Sequence, residues 1–340
     1  MTNRATHIDI AKGISIVLVA GYHSNIQYSG VFIFDLMSLC RMPLFFFMAG
    51  IFFKPSENNF EFIKNKFNGL LRPYFFTQFV LLVFSFLINN DKIFWQLKGV
   101  FYGNSHTILN GWQPLWFLPH LFAVYIASQL LYKAFDFDNF NFGIKLIYIL
   151  ILCIVGLNFY DTFWYKSFNI FGKAVELPGL PFTVDVLPIS MAFFLIGSAL
   201  KKNLINFKFN ASYFAPSLIG YILIIYLTNA KIDLSQHVLI HPLYAISGAF
   251  LGIYLVISIA SIFAQYRSIE IIFNTLGRSS IFILIFHYII FISVIGFFST
   301  NMEFMPKILQ TAIALLLSIS VPLLIRRVIL SNKLLSWAYI

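Results

Sequence analysis

Residues 279–299 read SSIFILIFHYIIFISVIGFFS, with no Asp, Glu, Lys or Arg. A helix needs about 20 mostly apolar residues to cross a hydrocarbon core, and this run has that length. Nine further stretches share its character, at roughly 11–28, 31–53, 73–89, 114–132, 144–160, 184–200, 212–229, 242–264 and 307–325. Composition agrees. Of 340 residues, 59% are hydrophobic and 11% charged, and mean hydropathy is +0.83. A soluble domain carries about 25% charged residues. A water-soluble globule, a disordered chain and a disulfide scaffold are thereby excluded. The expected fold is all-α, a polytopic membrane bundle of about ten transmembrane helices forming one domain over residues 1–340. Cys40 and Cys153 both fall in apolar runs and read as buried thiols. No internal repeat is evident.

The net charge is +10. In a soluble protein that would suggest nucleic acid, but here the basic residues lie in loops between spans. With the N-terminus in the cytosol, 16 of the 23 Lys and Arg residues fall on the cytosolic side and six on the other, with Arg41 inside a span. That asymmetry satisfies the positive-inside rule and predicts both termini cytosolic. Asp9 and Lys12 border the first apolar run and no small-residue cleavage site follows it, so the run reads as a retained helix. The outer segments 90–113 and 161–183 read as loops or re-entrant pieces.

Ionisable groups within spans are costly, so each marks a candidate site. Lys12 and His23 are eleven residues apart, about 1100° of helical rotation, which places them on one face about 16 Å apart along the axis. Such a face suits a substrate reaching across part of the membrane; an interfacial anchor plus a structural histidine gives the same pattern. Arg41 reads as mid-span, where a guanidinium must meet a carboxylate, carbonyls or a polar cavity. Pro43 beside it is expected to free a carbonyl. Asp35 is one possible partner, though six residues away and on another face. His287 is mid-span in the run that opens this section. Lys54, Lys64, Lys66 and Arg72 line the first cytosolic loop, as topology charges or as phosphate ligands. Trp112, Pro114, Trp116 and Pro119 form either an aromatic belt or a stacking platform for a sugar ring. His120, one turn inside its span, is a lesser candidate; His7, His106 and His237 read as solvated. No HExxH, CxxC or clustered-carboxylate pattern is present, so no metal site is expected.

Together these residues resemble the acyltransferase-3 family of integral membrane O-acyltransferases, particularly its sugar O-acetylase-like branch. The first run carries Asp9, Lys12 and Gly13, then His23, similar to the family's opening pattern. Arg41-Met-Pro-Leu-Phe-Phe-Phe-Met-Ala-Gly50 looks like its Arg/His-Met-Pro-Leu-Phe…Gly signature. Leu71-Arg72-Pro73-Tyr74 closes a basic loop, Pro114-Leu-Trp116-Phe117-Leu118-Pro119 is similar to its Trp-Phe-Leu element, and Ile281 to His287 matches its penultimate-helix histidine. The family often has two basic residues three apart after the second span; Lys66 fits the first position, Gly69 stands at the second, and Arg72 lies one turn on.

The resemblance implies a membrane O-acyltransferase. It would move an acyl group, acetyl by expectation, from cytosolic acetyl-CoA to a hydroxyl of a carbohydrate or lipid-linked glycan at the outer side of a bacterial plasma (inner) membrane. It implies His23, Arg41 and His287 as catalytic, Lys12, Lys66 and Arg72 on the donor, and Trp116 and Asp9 on the substrate. Besides acyl-CoA and the glycan, the expected partners are membrane lipids. The alternative class is a carrier or flippase for lipid-linked sugars, with Arg41 and His23 as charges on the translocation path.

Overall fold

The computed structural model describes residues 6–23, 38–88, 93–160, 162–170 and 173–339. Residues 24–37 of the first two expected spans lie outside them, and with them Asp35, named above as a partner for Arg41.

Helices dominate the described residues, and eight are long and apolar enough to cross a membrane: Asn59–Leu87, Gln113–Phe135, Phe142–Tyr160, Pro181–Ala199, Ala211–Thr228, Pro242–Phe263, Ser280–Asn301 and Lys307–Ser331. All eight overlap expected stretches, but Asn59–Leu87 begins well before 73–89, so Lys64, Lys66 and Arg72, expected in a loop, are helical. In Ala211–Thr228 only 6% of the apolar window is buried, and in Phe142–Tyr160 only 11%. Helices apolar all round yet so little buried need hydrocarbon around them. The chain is therefore an all-α polytopic membrane protein. The first expected span forms the 18-residue helix Thr6–His23, whose His7, Asp9, Lys12 and His23 dilute its apolar character. The second forms the 11-residue helix Arg41–Ile51.

That second helix corrects one expectation. A turn occupies residues 38–40, and the Leu44 amide donates to the Cys40 carbonyl at 2.8 Å. Arg41 is thus the first residue of the helix Arg41–Ile51. Pro43 sits in the first turn, where the amide it lacks would have no intrahelical partner. It suits the helix start and frees no carbonyl.

The chain divides into two compact units. The first comprises Met1–Met48, Leu200–Leu234 and Val238–Val328. In it the helix Thr6–His23 packs on Arg267–Arg278, Pro242–Phe263 and Ser280–Asn301. Glycines set the close approach: a Cβ on Gly13 would lie 2.2 Å from the Phe273 carbonyl oxygen, and one on Gly277 2.7 Å from that of Asp9. A short antiparallel hairpin pairs Lys231–Asp233 with Val238–Ile240.

The second unit comprises Ala49–Ala199, Ser235–His237 and Ile329–Ile340. Its long helix Asn59–Leu87 is interrupted by a π turn at Phe67–Leu71, where the Arg72 amide reaches back to the Phe67 carbonyl. The outer segments are more ordered than loops. Residues 93–102 are helical, and Trp164–Ile170 pairs antiparallel with Lys173–Pro178, with a register shift between Trp164 and Lys166. These strands are not legible in the sequence because each is short and polar on one side.

Candidate active site

The first unit gathers six polar or aromatic groups, Tyr22, His23, Arg41, Asp233, His287 and Tyr288, around the end of its opening helix. His23 is the last residue of Thr6–His23. Its ring centroid lies 5.3 Å from that of His287, at 51°, and 5.0 Å from that of Tyr288, at 44°. Tyr22 meets it edge-on at 5.3 Å. In the sequence His23 and His287 stand on separate spans with no stated contact; the fold brings them ring to ring.

His287 is fully buried within Ser280–Asn301. Its Nδ1 lies 2.7 Å from the Ile283 carbonyl, which can only accept, so Nδ1 carries the proton. In the neutral ring Nε2 then holds a lone pair, and that atom has no hydrogen-bond partner among the described residues.

Arg41 is 4% exposed. Its guanidinium stacks on the Tyr22 ring, Cζ lying 3.3 Å from the centroid. Nη2 is 3.5 Å from Asp233 Oδ2, and the Tyr22 hydroxyl donates to the same oxygen at 3.1 Å. Asp233 ends the strand Lys231–Asp233, so the short hairpin sets an acid at the place where the arginine needs its counter-charge. Nη1 is buried and has no partner among the described residues. Among the described residues one cationic N–H donor, on the arginine stacked on Tyr22, and one imidazole acceptor, on the ring next to His23, are thus left without partners. A carbonyl oxygen that becomes negative, together with a hydroxyl that must lose a proton, would use both.

Asp233 and Tyr22 escape a reading of the sequence. The usable signal is Arg41 itself, since a buried guanidinium demands an acid, and few acids lie in apolar surroundings. Asp9 and Lys12 sit lower on the same helix, Asp9 buried against the Gly277 backbone and Lys12 half-buried.

The remaining candidates belong to the second unit. Lys66 ends the α-helical part before the π turn, its Nζ 3.7 Å from the Tyr125 ring centroid. Arg72 begins the helix after it; its Cζ lies 5.3 Å from the Trp337 ring, and its Nε is buried with no partner among the described residues. The π turn lies between these two cations, and such bulges are frequent at functional sites. Trp116 is 4% exposed, its ring 5.4 Å from that of His120, so it is a core side chain and presents no open stacking face. His120 is itself buried, with Nε2 2.8 Å from Ser190 Oγ and Nδ1 3.0 Å from the Phe182 carbonyl.

His237 corrects a second expectation. It is not solvated: its side chain is 1% exposed and its Nε2 lies 2.6 Å from Asp185 Oδ2. Among the described residues no group of three or more His, Cys, Asp or Glu side chains converges as a metal would require.

A family model described as an acyltransferase domain, acyltransferase 3, matches residues 6–327. No curated protein and no solved structure matches the chain.

Proposed function

Since the chain belongs to the acyltransferase-3 family, matched over nearly its whole length, we propose that it moves an acetyl group from cytosolic acetyl-CoA to a hydroxyl of a carbohydrate or lipid-linked glycan at the outer face of a bacterial inner membrane. The observation that carries this reading is a pair of buried atoms without partners among the described residues, Nη1 of Arg41, which stacks on Tyr22, and Nε2 of His287, whose ring lies beside that of His23.

In this reading His23 takes the proton of the acceptor hydroxyl as its oxygen bonds to the thioester carbonyl carbon. The carbonyl oxygen becomes an oxyanion and draws Arg41 Nη1; a donor of this kind is worth about 10²–10³ in rate. The carbon–sulfur bond then breaks, and the leaving thiolate recovers the proton from the His23 imidazolium. The products are an ester and a free thiol. His287, its tautomer fixed by the Ile283 carbonyl, orients the site through Nε2. Asp233 and Tyr22 hold the guanidinium plane. Lys12 is assigned to the donor at the cytosolic edge of the first unit and Asp9 to substrate. In the second unit Lys66 and Arg72 are assigned to the phosphates of CoA, Arg72 through its unpaired Nε, and Trp116 to support of the acceptor side by way of His120.

The test is mass spectrometry of surface glycans from cells with and without the chain. The reading expects an acetyl-sized difference on a glycan hydroxyl. Identical glycans, with acetyl-CoA unconsumed in membranes that hold the chain, would favour the carrier class instead.

A further inference from the structure

The second unit contains a polar centre that the transfer chemistry above does not use. Asp185 lies in the turn Pro181–Val186 that leads into Leu187–Ala199, and His237 in the turn that joins the strands Lys231–Asp233 and Val238–Ile240. Their side chains are 0% and 1% exposed, and Nε2 meets Oδ2 at 2.6 Å. A carboxylate oxygen accepts, so Nε2 carries the proton and Nδ1 of the neutral ring is a lone pair. Among the described residues Nδ1 has no partner. Neither has Asp185 Oδ1, nor the hydroxyl of buried Thr183 two residues away. Buried polar atoms are normally satisfied, and orphans of this kind ask for an explanation.

The backbone here is held in unusual conformations. Among the described residues seven non-glycine residues have positive φ, and Tyr165, Phe182, Thr183 and His237 are four of them, with φ of 47°, 55°, 55° and 51°. Strain clusters where a fold holds a site in place. Gly179, at φ 82°, lets the chain pass close to the pair: a Cβ there would lie 2.6 Å from Asp185 Oδ2 and 3.3 Å from the His237 ring. Burial pushes the phenol of Tyr102 up to about 12, so it stays protonated and donates to the Gly179 carbonyl. The indole of Trp164 lies flat on the imidazole, centroids 3.8 Å apart at 15°. It is partly exposed while the dyad is buried, so the indole covers the dyad on that side.

We infer that Asp185, His237 and Trp164 form a binding site for a hydroxyl-bearing pyranose ring, distinct from the groups around His23. Among the described residues Asp185 Oδ1 and, in the neutral ring, His237 Nδ1 are acceptors without partners, so the ligand must bring hydrogen-bond donors; hydroxyls do so, whereas a phosphate or carboxylate would face a carboxylate. The indole supplies the flat apolar surface that the C–H face of a sugar covers, with polar atoms at its edge. As the acceptor's station this site rests on the transferase reading; as a sugar site it stands without it.

The test uses the purified full chain in detergent with no acyl donor. Saturation-transfer NMR reads binding of methyl glucopyranoside, methyl galactopyranoside and methyl rhamnopyranoside. At least one should receive saturation on its ring protons. Asp185→Asn and His237→Gln should each weaken it by about tenfold, the scale of one hydrogen bond to a charged or oriented group. Trp164→Phe should retain binding and Trp164→Ala lose it at an unchanged thermal midpoint, a split that a merely structural clasp would not give. His23→Ala should bind as the wild type does. No saturation of any of the three by folded wild type, or equal binding by Trp164→Ala and Trp164→Phe, would overturn the inference. Glycoside binding with no acetyl transfer would sink the transferase reading and leave this one; transfer with an acceptor KM unmoved by Asp185→Asn would do the reverse.

Discussion

Arg41 lies flat against the ring of Tyr22, its guanidinium carbon 3.3 Å from the ring centroid, and both side chains reach the same oxygen of Asp233. A rigid, planar cation is held on two sides, and one of its terminal nitrogens has no partner among the described residues.

This arrangement predicts that charge alone does not suffice at position 41. Arg41→Lys keeps the charge but loses the planar stack and the fork. Acyl transfer should fall by about 10²-fold, the scale for removing an oxyanion donor, with folding retained. Initial rates in membranes containing equal amounts of protein check it; wild-type rates would show that the guanidinium takes no part.

Removing the counter-charge should cost stability. Asp233→Ala leaves a buried guanidinium uncompensated, a change of about 3–5 kcal/mol when a buried pair is broken. Tyr22→Phe keeps the ring and loses only the hydroxyl bond, about 1 kcal/mol. Thermal unfolding in detergent should rank wild type, Tyr22→Phe and Asp233→Ala in that order. An Asp233→Ala midpoint equal to that of the wild type would mean that Arg41 draws its compensation elsewhere.

Glycine contacts seat the first helix, so Gly13→Ala and Gly277→Ala should each destabilise by about 1–3 kcal/mol, the usual cost of overpacking. The added Cβ would press on backbone carbonyls, which cannot swing away as a side chain can. Gly69, in the π turn, has nothing within 4 Å of the point where a methyl would stand, and serves as the control. Gly69→Ala should leave the unfolding midpoint unchanged or raise it.

Lys66→Ala and Arg72→Ala should each raise the acetyl-CoA KM by about tenfold with kcat little changed, as loss of a charge-assisted contact to phosphate would. The effect should shrink at high salt, because screening weakens such contacts. A steady-state series at two ionic strengths measures it, and an unchanged KM in Arg72→Ala would remove that residue from the donor site.

Much of the helical framework is legible in the sequence because a membrane span is a long, simple signal: each of the eight long apolar helices overlaps a stretch recognisable from composition alone. The Arg41 environment is not. Pro43, in the middle of the apolar run 31–53, looks like a kink, and only the turn at residues 38–40 shows it to be at a helix start. Asp233 is invisible as a partner because it stands 192 residues away on a three-residue strand. His237 misleads for a related reason. A histidine in a polar turn is ordinarily wet, and nothing local reveals that Trp164 and Asp185 fold over it.

On this view His23 performs the chemistry while other groups hold the substrates. Membranes bearing the wild-type chain or His23→Ala, supplied with acetyl-CoA labelled in its acetyl group, test that division of labour head-on. Label should appear on glycan with the wild type and none above background with His23→Ala, while both bind acetyl-CoA equally. Glycan labelling by His23→Ala at the wild-type rate would contradict it.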